Sequence, residues 1–133
     1  MDWTVLFGGE AFDVVVTMSG DATGAELVAM TDEYLSDPRW RPGSSLLLDT
    51  SLLDLATVTT ADLRRAADNG RRRDEEIGSG YMVIVTGSTA GFGLARMFQA
   101  FRDSSSGPRV HVAVSVEEAS RWLTAEQAKE ASA

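Results

Sequence analysis

At 133 residues, 44% of them hydrophobic, the chain is long enough for one sizeable core and too short for two. A net charge of −8 disfavours polyanionic partners such as nucleic acid, and zero cysteines with a single histidine, His111, exclude disulfides, thiolate chemistry and ordinary zinc sites. No window reaches the roughly 18 apolar residues of a membrane span, and the start Met1-Asp2-Trp3 lacks a signal-peptide pattern, so a cytoplasmic protein with no metal or cofactor is expected.

Trp3, Val5 and Phe7, then Phe12, Val14, Val16 and Met18, alternate with their neighbours on either side of Gly8-Gly9-Glu10-Ala11, which predicts a β-hairpin. Leu27, Met30, Tyr34 and Leu35 recur at helical spacing until Asp37-Pro38 stops the helix and Pro42-Gly43 turns the chain. Leu46-Leu47-Leu48 and Tyr81-Met82-Val83-Ile84-Val85 lack polar alternation, as central strands covered on both faces do. Between them Thr59 or Thr60 opens a helix that buries Leu63, Ala66 and Ala67 and ends at Gly70 or runs on to Glu76. The run Arg71-Arg72-Arg73 is followed at once by Asp74-Glu75-Glu76, so local charge cancels and the segment reads as a solvated helix end.

Leu94, Met97, Phe98 and Phe101 mark a further helix, with its stripe expected in the core, and Ser104 to Pro108 is a low-complexity connection. Val110, Val112 and Val114 form a last strand, and Ser115 caps a helix burying Val116, Ala119, Trp122 and Leu123. The single domain is expected over residues 1–123, with 124–133 a polar tail, either frayed helix or disordered. The order β-β-α-β-α-β-α-β-α predicts an α/β fold with a mixed sheet covered by helices.

Thr86-Gly87-x-x-x-Gly91-x-Gly93, between strand and helix, is similar to the phosphate-binding turn of short-chain dehydrogenases, where free N–H groups at a helix start meet a pyrophosphate. That fingerprint belongs in a first βαβ unit with a Tyr-x-x-x-Lys pair beyond it. Here it falls in the last third, the tyrosines (Tyr34, Tyr81) lie upstream, and the one lysine is Lys129, so no hydride-transfer machinery remains. The alternative is a mechanical bend, with Gly91 and Gly93 relieving contact where the helix meets the sheet.

Asp37-Pro38-Arg39-Trp40-Arg41-Pro42-Gly43, the strand ending Leu48-Asp49, the segment Gly91-Phe92-Gly93-Leu94-Ala95-Arg96-Met97-Phe98 and the closing Arg121-Trp122-Leu123, in that order, resemble the signatures of the SpoIIAA-like relatives of the STAS domain. The resemblance covers about Phe12 to Leu123. It implies a STAS-like α/β fold and a non-enzymatic regulatory or protein-interaction role without a catalytic residue. The phosphorylated serine motif of regulatory STAS domains is absent. Thr59 and Thr60 stand in its place, as phosphate acceptors or as an ordinary helix cap.

Asp49, Thr50, Ser51 and Asp54 follow one central strand and Thr86, Ser88 and Thr89 the other, so both groups are expected at the carboxyl edge of the sheet, where open α/β sheets hold a ligand or a partner loop. Val14, Val15 and Val16 are apolar toward both faces, and a homodimer is expected to cover whatever face the helices leave open. The other binding expectation is a small apolar or amphipathic ligand between helix 94–102 and the sheet. His111, opposite Val110 and Val112 on its strand, has no nucleophile to serve and reads as structural.

Overall fold

The computed structural model describes residues 1–132. The hairpin strands β1 (Asp2–Phe7) and β2 (Val14–Asp21) lead into α1 (Gly24–Ser36), β3 (Leu46–Asp54), α2 (Thr60–Arg72), a single turn α3 (Asp74–Ile77), β4 (Tyr81–Val85), α4 (Thr89–Arg102), β5 (Arg109–Ala113) and α5 (Val116–Ala131). The sheet order is β1-β2-β3-β4-β5, antiparallel at β1–β2 and parallel thereafter. This is the mixed α/β arrangement expected from the sequence.

Strands laid down consecutively in one direction, joined by crossovers of one hand, put every crossing helix on one face. Met30, Tyr34 and Leu35 of α1, Ile77 of α3 and Ala95 of α4 accordingly pack with Val14, Val16, Met18, Leu46, Leu48, Met82, Ile84 and Val112. The second face is left to α5, whose Ala119 and Leu123 pack on Leu47, Val83, Val85 and Ala113. Strands spaced about 4.8 Å apart make a five-strand sheet about twice as wide as a helix about 10 Å across. Hence α5 covers β4, β5 and the flank of β3 and leaves β1 and β2 open on that side.

Several local expectations are corrected. Strict alternation puts Phe12 beside Val14, yet the strand begins only at Val14, and Phe12 is buried on the α5 face with Leu47, Tyr81 and Val83. The preceding Asp13 carboxylate accepts bonds from the backbone N–H and hydroxyl of Ser45, which redirects the chain there. Helix α5 runs on through the expected tail to Ala131, and Arg109 on β5 pairs there with Glu126 and Glu130; Ala133 lies outside the described residues. The acidic run after the arginines is not uniformly solvated: Arg73 pairs with Asp32 and Glu76, but Asp74 turns inward to Arg102.

The two edges of the sheet differ. On β5 the amide of Gln99 donates to the outward Val110 carbonyl at 2.6 Å, which blunts that edge. On β1, alternation from the Gly8 N–H to Asp13 carbonyl bond turns the backbone groups of Trp3, Val5 and Phe7 outward, and among the described residues no side chain is bonded to them.

Candidate functional site

The carboxyl edge of the sheet brings its two polar segments together, since Gly87 lies against Ser51 and the Thr50 hydroxyl donates to the Val85 carbonyl at 2.7 Å. Their polar groups are largely spent on local bonds. The Asp49 carboxylate accepts from the Ser51 N–H (3.0 Å) and hydroxyl (2.6 Å), and that of Asp54 accepts from the Ala56 N–H at 3.0 Å. Asp49, Ser51 and Asp54 lie within β3, which runs further than the apolar triplet implied. Thr86 is buried with its hydroxyl unpartnered among the described residues, whereas Ser88 and Thr89 are exposed.

Ser88 caps α4 by accepting the Gly91 N–H at 3.0 Å, so a backbone donor that a phosphate would need is occupied. A Cβ at Gly91 would meet Leu55 Cδ1 at 2.8 Å: this glycine admits a leucine side chain. Gly93 relieves nothing, because a Cβ there would meet no atom within 4 Å; the expectation of a close contact holds for Gly91 and fails for Gly93. At α2, Thr59 is the cap and shares a reciprocal capping box with Asp62, while the Thr60 hydroxyl lies 3.8 Å from Met97 sulfur.

Of the remaining signature residues, Trp40 is buried, tilts against Tyr34 at a centroid distance of 5.3 Å and donates its indole N–H to the Glu76 carbonyl at 2.9 Å. Phe92 and Phe98 are half-buried against the main core, and Arg96 is exposed. Met97 and Phe101 sit off the deepest line of α4, which runs through Gly91, Ala95 and Arg102, and Arg64 lies 4.2 Å over the Phe101 ring. Trp122 stacks parallel on His111 at 4.3 Å; burial there lowers the His111 pKa, partly opposed by Glu118 and Glu126, which favours a neutral imidazole at pH 7.

Sequence reasoning missed two features. One is a buried ion pair: the Arg102 guanidinium, 1% exposed, reaches the Asp74 carboxylate at 2.5 Å, wedged between Gly70 and Gly107, with its second terminal nitrogen unpartnered among the described residues. The other is an apolar cavity of about 100 Å³ between α1, α2, α4 and the sheet, lined among others by Met18, Met30, Met82, Leu55, Ala95 and Phe98. Small residues on its wall, Ala22, Ala66, Ala95 and Gly91, keep it open, a pattern that cannot be read before it is known which helices face each other. No helix is long and apolar enough to cross a membrane, and no cluster of metal-binding side chains occurs among the described residues.

A crystal structure of an uncharacterized protein of the DUF3478 family from Shewanella loihica PV-4, described as having a SpoIIAA-like fold, superposes on this chain with a TM-score of 0.60 over 91% of this chain and 93% of that one. This chain has the SpoIIAA-like fold. At 13% identity the likeness is one of architecture, and the chain has the element order expected from its hydrophobic pattern. No known family profile matches the sequence, and no curated protein does.

Proposed function

We propose that this SpoIIAA-like chain works by association, without catalysis, and that a second copy of the chain covers β1 and the adjoining open half of the sheet. The observation that carries the reading is the asymmetry of cover: one helix for a five-strand face, with Leu6 60% exposed and Leu52 67% exposed on the uncovered part beside half-buried Val15 and Thr17. Leu6 and Val15 are register partners, as are Thr4 with Thr17 and Thr17 with Asp49, so these side chains form one surface. The unblunted β1 edge borders it. Two such edges meet antiparallel about a two-fold axis, each supplying the outward backbone groups of Trp3, Val5 and Phe7 to the other. The absence of catalysis rests on the rim, where the Asp49, Ser88 and Thr59 side chains are engaged with their own loops and caps.

Light scattering should return twice the 14.3 kDa chain mass at micromolar concentration. Lysine at Leu6 and Thr4, both exposed, is expected to yield folded monomer, because an edge lysine carries charge into the pairing site. With −8 on each copy, added salt should strengthen the dimer by screening repulsion. A wild-type protein that stays monomeric at high salt and about 100 μM, where a pair with a Kd of about 10 μM is mostly dimeric, would sink the reading.

A further inference from the structure

We propose that the cavity beneath α4 binds the apolar tail of a small neutral amphiphile, such as a short-chain alcohol, whose head stays at the carboxyl edge of the sheet. The cavity lies on the opposite face of the sheet from the open surface of β1 and β2, so this inference stands apart from self-association. Its wall is almost wholly apolar, and three of its side chains, Met18, Met30 and Met82, are methionines, which adapt to the shape of a guest. Its polar liners are few: the Thr50 hydroxyl is bonded to Val85, the Thr31 hydroxyl donates to the Leu27 carbonyl, Tyr34 lies on the α1 side, and the Arg102 guanidinium at the inner end is paired with Asp74.

The cavity reaches the surface at one end. Leu53, Leu55, Val58 and Leu94, all half-buried liners, belong to the end of β3, the following loop and the first turns of α4, all at the carboxyl edge. Leu55 leans over Gly91 there and closes the mouth as a side chain with no regular backbone of its own to break. The head group of a bound molecule emerges among Asp54, Thr59, Thr60 and Asp62 on exposed or half-buried positions. The one charged liner, Arg102, is already paired with Asp74, and −8 over the chain repels an anion, which selects a neutral head over a carboxylate.

An engineered apolar cavity of about 150 Å³ accepts benzene, so about 100 Å³ admits a tail of about four or five carbons. Each buried methylene tightens binding about fourfold, and so small a ligand binds at about millimolar strength. The test follows the ε-methyl NMR signals of Met18, Met30 and Met82 during titration with ethanol, 1-propanol, 1-butanol, 1-pentanol and 1-hexanol. Kd should fall about fourfold per carbon and level off near 1-pentanol, with pentanoate on the order of tenfold weaker than 1-pentanol. Ala95→Leu and Ala22→Leu should each fill the space, abolish the methyl shifts and raise Tm. A response with no dependence on chain length, or pentanoate binding as well as 1-pentanol, would overturn the proposal. So would both variants lowering Tm or failing to fold, since that is how an already filled core responds to added volume.

Discussion

Asp74→Ala is expected to destabilise the protein by about 3–5 kcal/mol, because it leaves the Arg102 guanidinium buried without a counter-charge. Arg102 is among the most buried large side chains of the chain, and Asp74 is 6% exposed. The guanidinium is packed against α2, where a Cβ on Gly70 would stand 2.6 Å from its Nε, and against Gly107, where a Cβ would stand 3.0 Å from Nη1. In a domain whose whole stability is about 5–15 kcal/mol, this is a large fraction. The same physics says that the pair is a poor stabiliser when compared with apolar replacement, so Asp74→Leu combined with Arg102→Met should recover most of the loss. Urea denaturation of the wild type and the two variants measures both statements. A cost under about 1 kcal/mol for Asp74→Ala, the range of a surface pair, would show that the two groups are solvated in solution.

Gly78→Ala is expected to cost about 3 kcal/mol or more, through a different mechanism. Gly78 has φ +80° and ψ 177°, a region essentially confined to glycine and worth about 1–3 kcal/mol of strain for any other residue. The added Cβ would also collide with the backbone of Pro42 and Gly43, which, unlike a side-chain end, cannot swing aside. That contact is where the Asp37–Gly43 connection docks: the Gly43 N–H donates to the Ile77 carbonyl at 2.8 Å, and Trp40 bonds to Glu76 one residue earlier. Lifting the connection therefore forfeits these bonds as well. Gly93→Ala is the contrasting control. It lies in α4, its Cβ meets open space, and it should gain about 0.5–1 kcal/mol from helix propensity alone. Thermal denaturation separates the two. Equal effects of the two substitutions would mean that the connection does not press on Gly78.

Much of the architecture was legible because it depends on local pattern. The unbroken apolar runs at Leu46–Leu48 and Tyr81–Val85 mark strands buried on both sides, and Thr59 and Ser115 mark helix starts because a side-chain oxygen satisfies N–H groups that the helix cannot, whereas the Ser88 cap of α4 emerges only in the structure. Where a local rule met a tertiary one, the tertiary one prevailed. Phe12 left its alternation because Asp13 bonds to Ser45, 32 residues away, and the end of α5 is tied to the sheet by Arg109 through Glu126 and Glu130. The rim residues gather at the carboxyl edge of the sheet, yet Asp49, Asp54 and Ser88 serve their own turns and caps, which only their hydrogen-bond partners reveal.

The sequence by itself determined the order of strands and helices, the Ser115 cap of α5, the choice of Thr59 or Thr60 for α2 and the exclusion of thiol and ordinary zinc chemistry, since these follow from residue type and from periods of two and 3.6. Only the tertiary structure decided that three crossing helices share one face and leave α5 alone on the other, that Arg102 finds Asp74 across 28 residues, and that small side chains from separate elements leave a cavity between them. The reason is that cover, charge pairing and empty volume are properties of facing surfaces, and which surfaces face each other is set by the path of the whole chain.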